Sequence, residues 1–149
     1  PKDILLILKN SFPAADIFHS ASALLLGQNK ASEQLVDESV YVNVSNDYLQ
    51  LSYFNGKEFI FNNSFHFRTA KDFIYYILLI YEQFKLKPEI VPLTISGQLI
   101  EDSQIYKIIF RYIRHIHFSQ APGFLRFGAA FDAHAKHLFF DLFSVGLCE

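Results

Sequence analysis

Two pairs of histidines have the spacing of a metal site. His115 and His117 are separated by one residue in a segment typical of a strand, so both imidazoles face the same way. His134 and His137 lie at i and i+3 on a predicted helix, without the glutamate that a zinc protease needs. A zinc ion would need a third ligand, for which His134, His137 and Asp141 are the candidates. We expect no metal site, because solvated histidines explain both pairs.

Four carboxylates are placed near predicted turns or helix starts: Asp47, Asp72, Glu101 and Asp102. Two-metal hydrolysis by a nuclease needs such groups clustered around one point. The segment Thr69–Asp72 instead resembles a capping box, with aspartate in place of the usual glutamate. Asp102 precedes a helix, where a negative charge is stabilised by the helix dipole. The carboxylates therefore favour helix capping, and a metal-dependent nuclease remains an alternative.

A basic stripe, Lys107, Arg111 and Arg114, recurs at i, i+4 and i+7 on a predicted helix. Such a stripe is usually a solvated helix face. It is also our candidate site for an acidic or phosphate-bearing partner. The single cysteine, Cys148, excludes a disulfide within the chain and has no base nearby in sequence to activate it.

Composition limits the class of protein. The net charge of -2 gives no electrostatic basis for binding nucleic acid or an anionic membrane. The longest apolar run, Phe73–Tyr81, is far shorter than the roughly 20 residues that a membrane helix needs. We expect a cytoplasmic protein.

The chain is rich in aromatic residues and poor in charge, with 17 Phe, 8 Tyr and only 19% charged residues. This composition predicts apolar surface outside the core, and hence a protein partner or self-association.

The N-terminal part predicts a helix, a short strand and a second helix. Ile4–Leu8 is apolar all round, which is typical of a buried helix, and Ala15–His19 has the length of a strand. The second helix is predicted to end at Gly27, before a polar linker over Gln28–Glu38. Because the sequence begins at Pro1 and contains no methionine, we expect it to be a piece of a longer chain.

Next comes a three-strand meander. Val40–Val44 and Tyr48–Phe54 have strand character, and Asn55-Gly56 predicts a type I′ turn. Two segments, Glu58–Phe61 and Phe65–Arg68, return as a third strand. Two helix–strand units follow, with strands at Ile90–Ser96 and His115–Ser119. Parallel crossovers then predict an α/β fold of βββαβαβ topology with a mixed five-stranded sheet of order 3-2-1-4-5. The end of the chain predicts a strand over 124–131 and a helix over 133–145.

Three segments carry a family resemblance: FNNSFHFRTAKDFIYYILLIYEQ, PLTISGQLIEDSQIYKIIFRYIR and FFDLFSVGLCE. Residues 35–119 resemble the second lobe of an actin-like ATPase, of the sugar kinase, heat-shock and actin superfamily. Most of the chain resembles more closely a bacterial family of unknown function with a ribonuclease H-like fold. The resemblance implies that residues 1–34 close a preceding lobe and link to the next. Residues 35–149 would form the ribonuclease H-like lobe with a C-terminal extension.

The resemblance also implies where a nucleotide would bind. Active relatives carry Asp, then Gly two residues later, then Thr or Ser, after the first strand of the lobe. Asn43, Ser45 and Tyr48 stand at these positions here. A second element, a strand followed by paired glycines, keeps only Gly97, followed by Gln98. Asn43, Ser45, Gly97 and Gln98 are therefore the candidate nucleotide cleft, with three departures that argue against ATP and Mg²⁺ as cofactors.

Three hypotheses on function remain open. The favoured one is a non-catalytic interaction or scaffold protein on a degenerate actin-like ATPase fold, whose apolar surface meets a missing lobe, a second copy or another protein. A divergent nucleotide-binding ATPase is the alternative, and a metal-dependent nuclease is the second alternative. Whether the protein is an enzyme stays open, although the altered loop favours a protein without catalysis.

Overall fold

The computed structural model describes residues 2–32, 37–123, 125–128, 131 and 134–148. Its helices and strands are α1 (Lys2–Ser11), α2 (Ser20–Ser32), β1 (Glu38–Ser45), β2 (Tyr48–Asn55), β3 (Glu58–His66), α3 (Ala70–Gln83), β4 (Leu93–Gly97), α4 (Gln104–Ile109), β5 (Ile116–Phe118) and α5 (Phe140–Ser144). Short 3-10 turns, Lys136–Phe139 and Val145–Leu147, flank α5. Within these residues, no helix has the length and apolar character to cross a membrane.

The five strands form one mixed sheet of order β3-β2-β1-β4-β5, as the sequence predicts. β1 and β2 are antiparallel, as are β2 and β3. β1 pairs with β4, and β4 with β5, in parallel. Each parallel connection passes through a helix, α3 or α4, because parallel neighbours need a long crossover. The α/β class and the predicted topology are confirmed.

The main core lies between one face of the sheet and the helices α3 and α4. Val40, Val42 and Val44 point to this face, and they are buried together with Phe73 and Ile77 of α3. α3 begins at the predicted capping box. Thr69 Oγ1 accepts a hydrogen bond from the Asp72 N–H (3.1 Å), and Asp72 Oδ2 accepts one from the Thr69 N–H (2.9 Å).

The helices α2 and α5 pack against each other, and they also contact β2 and β4 respectively. Gly27 lies in the middle of α2, where a Cβ would overlap Ser144 and lie 3.2 Å from Phe140. The prediction that α2 ends at Gly27 is therefore wrong, because this glycine permits close packing between helices. The helix continues to Ser32, and Gln28 is fully buried rather than part of a linker.

Two local predictions are also wrong. Ala15–His19 forms no strand, since no strand of the described chain lies beside it to pair with. Asn55 is the last paired residue of β2, so the turn is Gly56-Lys57 and only Gly56 has a positive φ, of 56°. This is not the type I′ turn predicted at Asn55-Gly56, which needs two positive φ angles.

The C-terminal prediction is confirmed only in part. In the predicted strand over 124–131, the described residues form none, and 124, 129 and 130 lie outside the described residues. Phe127 instead packs against Phe143 of α5, with ring centroids 4.9 Å apart. The predicted helix over 133–145 is a 3-10 turn followed by the five-residue α5, and residue 133 lies outside the described residues. The predicted boundary at 34/35 falls in the segment 33–36, also outside them, and stays a prediction.

Candidate functional site

The carboxyl ends of β1 and β4 bring the four candidate cleft residues together. These parallel strands pair Asn43 with Ser96 and Val44 with Gly97. Ser45 and Gln98 follow one residue later, and both are exposed. In open α/β sheets, ligands bind beyond the carboxyl ends of the strands. The residues therefore stand at the edge where a ligand of this fold class would be expected.

The side chain of Asn43 is buried and hydrogen-bonded to the neighbouring strand β4. It is 7% exposed, and its Oδ1 accepts a hydrogen bond of 2.8 Å from the Ser96 hydroxyl. A Mg²⁺ ion prefers carboxylate oxygens, which an amide does not supply. The resemblance places a metal-holding aspartate here, so the residue present does not fit a bound Mg²⁺.

Gly97 is required by the close approach of the chain to itself. Its φ is +80°, a conformation that residues with a side chain rarely adopt. A Cβ here would lie 2.8 Å from the Val44 nitrogen and closer still to the Val44 carbonyl oxygen. The next residue, Gln98, donates its N–H to that same carbonyl at 2.7 Å. The β1–β4 contact therefore accounts for this glycine without any nucleotide.

The turn between β1 and β2 is closed by the side chain of Gln98. The Asn46 N–H donates to Gln98 Oε1 at 3.0 Å, and Asn46 has a positive φ of 52°. Backbone N–H groups of this kind are the donors that hold a phosphate in nucleotide-binding loops. In this chain the donor is taken by a side chain from 52 residues away. No local sequence pattern could have revealed this bond.

Asp47 and Asp72 each have a partner within the fold. Asp47 Oδ2 lies 2.7 Å from His66 Nε2 at the carboxyl end of β3. Hydrogen bonds from the backbone N–H groups of Arg68 and Thr69 lower the pKa of Asp72. Asp102 precedes α4, but Ser103 is the N-cap, and its Oγ accepts the Tyr106 N–H at 3.1 Å.

The paired histidines lie at different kinds of position. His115 and His117 are exposed at β5. His137 is half-buried instead, with its ring 4.2 Å from that of Phe118 and its Nε2 2.9 Å from the Leu99 carbonyl oxygen. Over the described residues, no three His, Cys, Asp or Glu side chains come together in a way that could hold a metal ion.

The basic stripe is divided by the end of α4, because the helix covers only Gln104–Ile109. Lys107 and Arg111 line a surface groove of about 550 Å³ together with Glu101, Asp102, Tyr106 and Phe110. Arg114 does not line this groove, and its backbone N–H donates to the Pro88 carbonyl. Lys107 and Arg111 therefore share the groove with the carboxylates of Glu101 and Asp102. The groove has mixed charge, whereas the sequence pattern indicated a basic surface.

The N-terminal helix exposes a continuous run of apolar side chains. The sequence predicts a buried helix over Ile4–Leu8, yet α1 has no buried residue. Leu6 is 66% and Ile7 62% exposed, and Phe12 and Phe18 continue the surface beyond the helix. The composition correctly indicated an apolar helix but not its exposure, because none of the described elements packs closely over it.

Comparison with known proteins places this fold. A crystal structure from Bacteroides thetaiotaomicron VPI-5482, described as a protein with an actin-like ATPase fold and unknown function, matches 97% of this chain with a TM-score of 0.77. The two are 19% identical, so the match establishes the fold alone, and this chain spans 51% of that chain. Among curated proteins, none matches the sequence. The family described as "Protein of unknown function (DUF3822)" matches residues 1–116, and the chain therefore belongs to that family.

Proposed function

We propose that this chain is a non-catalytic protein-interaction domain on a degenerate actin-like ATPase fold, and that a second protein lobe covers α1. The observation that carries the proposal is a helix of 10 residues with none buried. Isolated helices shorter than about 12–15 residues are marginal in water, and most helices in proteins are stabilised by packing. An apolar helix without packing partners needs another surface to hold it.

The apolar side chains of α1 offer that surface a large gain. Ile4–Leu8 supplies five consecutive apolar residues, all of them exposed. Full burial of such a side chain contributes roughly 1.5–3 kcal/mol. Burial of only some of these side chains is therefore enough to stabilise both the helix and its contact with the covering lobe.

The length of the solved relative supports a protein lobe as the occupant. That relative is matched over 51% of its length, while the match takes in 97% of this chain. The other half of the relative has no counterpart among the residues described here. We infer that a lobe equivalent to that half packs on α1, and that a second copy or an unrelated protein does not.

The contacts at the candidate cleft support the absence of catalysis. Asn43 is bonded to Ser96, Gly97 lies against Val44, and the Asn46 N–H is bonded to Gln98. A nucleotide phosphate would have to displace these internal contacts. It would do so without gaining a carboxylate at position 43 to hold its metal.

Hydrogen exchange of the α1 amides tests the proposal. We expect them to exchange rapidly in the 149-residue chain alone and to be strongly protected in the intact protein as its organism makes it. The amides of α2, which buries Leu24 and Gln28, serve as the control and stay protected in both samples. Rapid exchange of α1 in the intact protein would contradict the proposal. Protection that grows with protein concentration would assign the surface to a second copy instead.

A further inference from the structure

The outer edge of β3 is open to pairing. β3 is the edge strand of the sheet, and nothing in the described chain pairs with its outer side. It is nine residues long, contains no proline, and has no charged residue between Glu58 and His66. Natural sheets usually protect such edges with proline, lysine or a covering segment. β3 has one irregularity, a register shift at Ile60, so the regular and unprotected part of the edge is Phe61–His66. Such an edge is typical of a strand that pairs with another chain.

The hydrogen-bond pattern shows which groups face this open edge. The Phe67 N–H donates to the Asp47 carbonyl at 2.8 Å, across to the β1–β2 turn. Because backbone groups alternate along an antiparallel strand, the N–H groups of Asn62 and Ser64 point away from β2. In agreement, the Ser64 N–H is held only by Oδ1 of the exposed Asn63, at 2.8 Å. A rotation of that side chain frees the N–H for a partner strand.

The sequence of the open edge is complementary to itself. Phe61-Asn62-Asn63-Ser64-Phe65 has an aromatic residue at each end, small polar residues next, and Asn63 at its centre. We propose that β3 pairs antiparallel with β3 of a second copy about a twofold axis at Asn63, giving a continuous ten-stranded sheet. In this register Asn62 faces the partner's Ser64 in a hydrogen-bonded pair. Each bond is formed twice, as an isologous contact requires.

The side chains agree with this register. Phe61 and Phe65 lie on the α3 side of the sheet, with Phe61 5.5 Å from Phe84 and Phe65 stacked 4.6 Å from Tyr76. The pairing sets Phe61 opposite the partner's Phe65, twice. Cross-strand aromatic pairs of this kind stabilise antiparallel sheets. Tyr75 of α3 is 60% exposed and in edge contact with Tyr76, so it adjoins the same aromatic cluster.

The symmetry favours a second copy over a foreign strand. A strand from another protein would also find free N–H and C=O groups along β3. The same segment in the reverse direction places a phenylalanine opposite each phenylalanine, a small polar residue opposite each small polar residue, and Asn63 opposite Asn63. This inference does not depend on the proposed function, because β3 contains no residue of α1 or of the candidate cleft.

Sedimentation equilibrium of the whole chain tests the pairing. We expect a dimer for the unaltered chain and a monomer for Ser64→Pro, which removes an outward N–H but none of the β2 ladder. Asn63→Lys, which sets two like charges opposite each other, should also give a monomer. A mixture of Asn63→Lys with Asn63→Asp should dimerise again through opposite charges. Circular dichroism establishes that each variant is folded.

Two controls separate this contact from others. Gln83→Lys, an exposed charge at the end of α3, should leave the dimer intact, as should Leu6→Glu in α1. A chain that stays monomeric at every concentration would overturn the proposal. So would a dimer that survives both Ser64→Pro and Asn63→Lys, or one that only Leu6→Glu disrupts.

Discussion

Replacement of Gly97 by alanine should destabilise the fold at the join between β1 and β4. Two effects act at this position. The φ of +80° disfavours any residue with a Cβ, and the new Cβ would meet the Val44 backbone at 2.8 Å or less. Because the clashing atoms are backbone in the centre of the sheet, they cannot move aside as a flexible side chain would.

The size of the effect follows from these two contributions. A left-handed conformation costs a non-glycine residue about 1–2 kcal/mol. Overpacking a tightly packed site costs about 1–3 kcal/mol more. The free energy of unfolding should fall by about 2–5 kcal/mol, and the Tm by about 4–20 °C for a domain of this size.

Thermal unfolding followed by circular dichroism measures this fall. Gly123→Ala is the matched control, because its Cβ would meet no atom within 4 Å and should leave the Tm nearly unchanged. Equal Tm values for the two variants would refute the assignment of Gly97 to the packing of the two strands. A nucleotide contact would then be the better explanation of this glycine.

Three further predictions concern packing, capping and pH. Gly27→Ala should destabilise the α2–α5 contact by overlap with Ser144, and Ser144→Gly should restore part of the loss in a double-mutant cycle of urea unfolding. Thr69→Ala removes the N-cap of α3 and should lower the free energy of unfolding by about 1 kcal/mol in the same assay. Burial and the nearby Glu38 raise the pKa of Tyr53 from 10.0 to about 12. The folded state thus holds this proton more tightly, so its contribution to stability is full below pH 10 and is lost as the pH rises toward 12. Tyr53→Phe should make the alkaline fall in the urea midpoint shallower, and an unchanged fall would contradict this.

Features with a local signal were predictable from the sequence. The alternation of Val40, Val42 and Val44 with other residues predicted a strand, and the structure has it as β1, although both faces of this strand are buried. The capping box needs only Thr69 and Asp72, three residues apart, and it forms as predicted. The strand order followed from the sequence of elements together with the rules for crossovers.

Features that depend on distant residues were not predictable. Gly27 looked like a helix end, and only the position of Ser144 reveals it as a packing site. The four candidate cleft residues lie close together at the ends of β1 and β4, but the bond from Asn46 to Gln98 spans 52 residues and has no sequence pattern. For α1, apolar composition indicates that a helix needs a partner, but it does not say which surface provides that partner.

Thermal unfolding of the intact protein with and without millimolar Mg-ATP tests the central claim, that this fold no longer uses a nucleotide. We expect the same Tm in both samples, because Asn43, Gly97 and Asn46 are occupied by contacts within the chain. A ligand at about 100 times its dissociation constant adds about 2.7 kcal/mol of stability. A rise in Tm of about 5–11 °C with Mg-ATP would therefore show that the fold still binds a nucleotide.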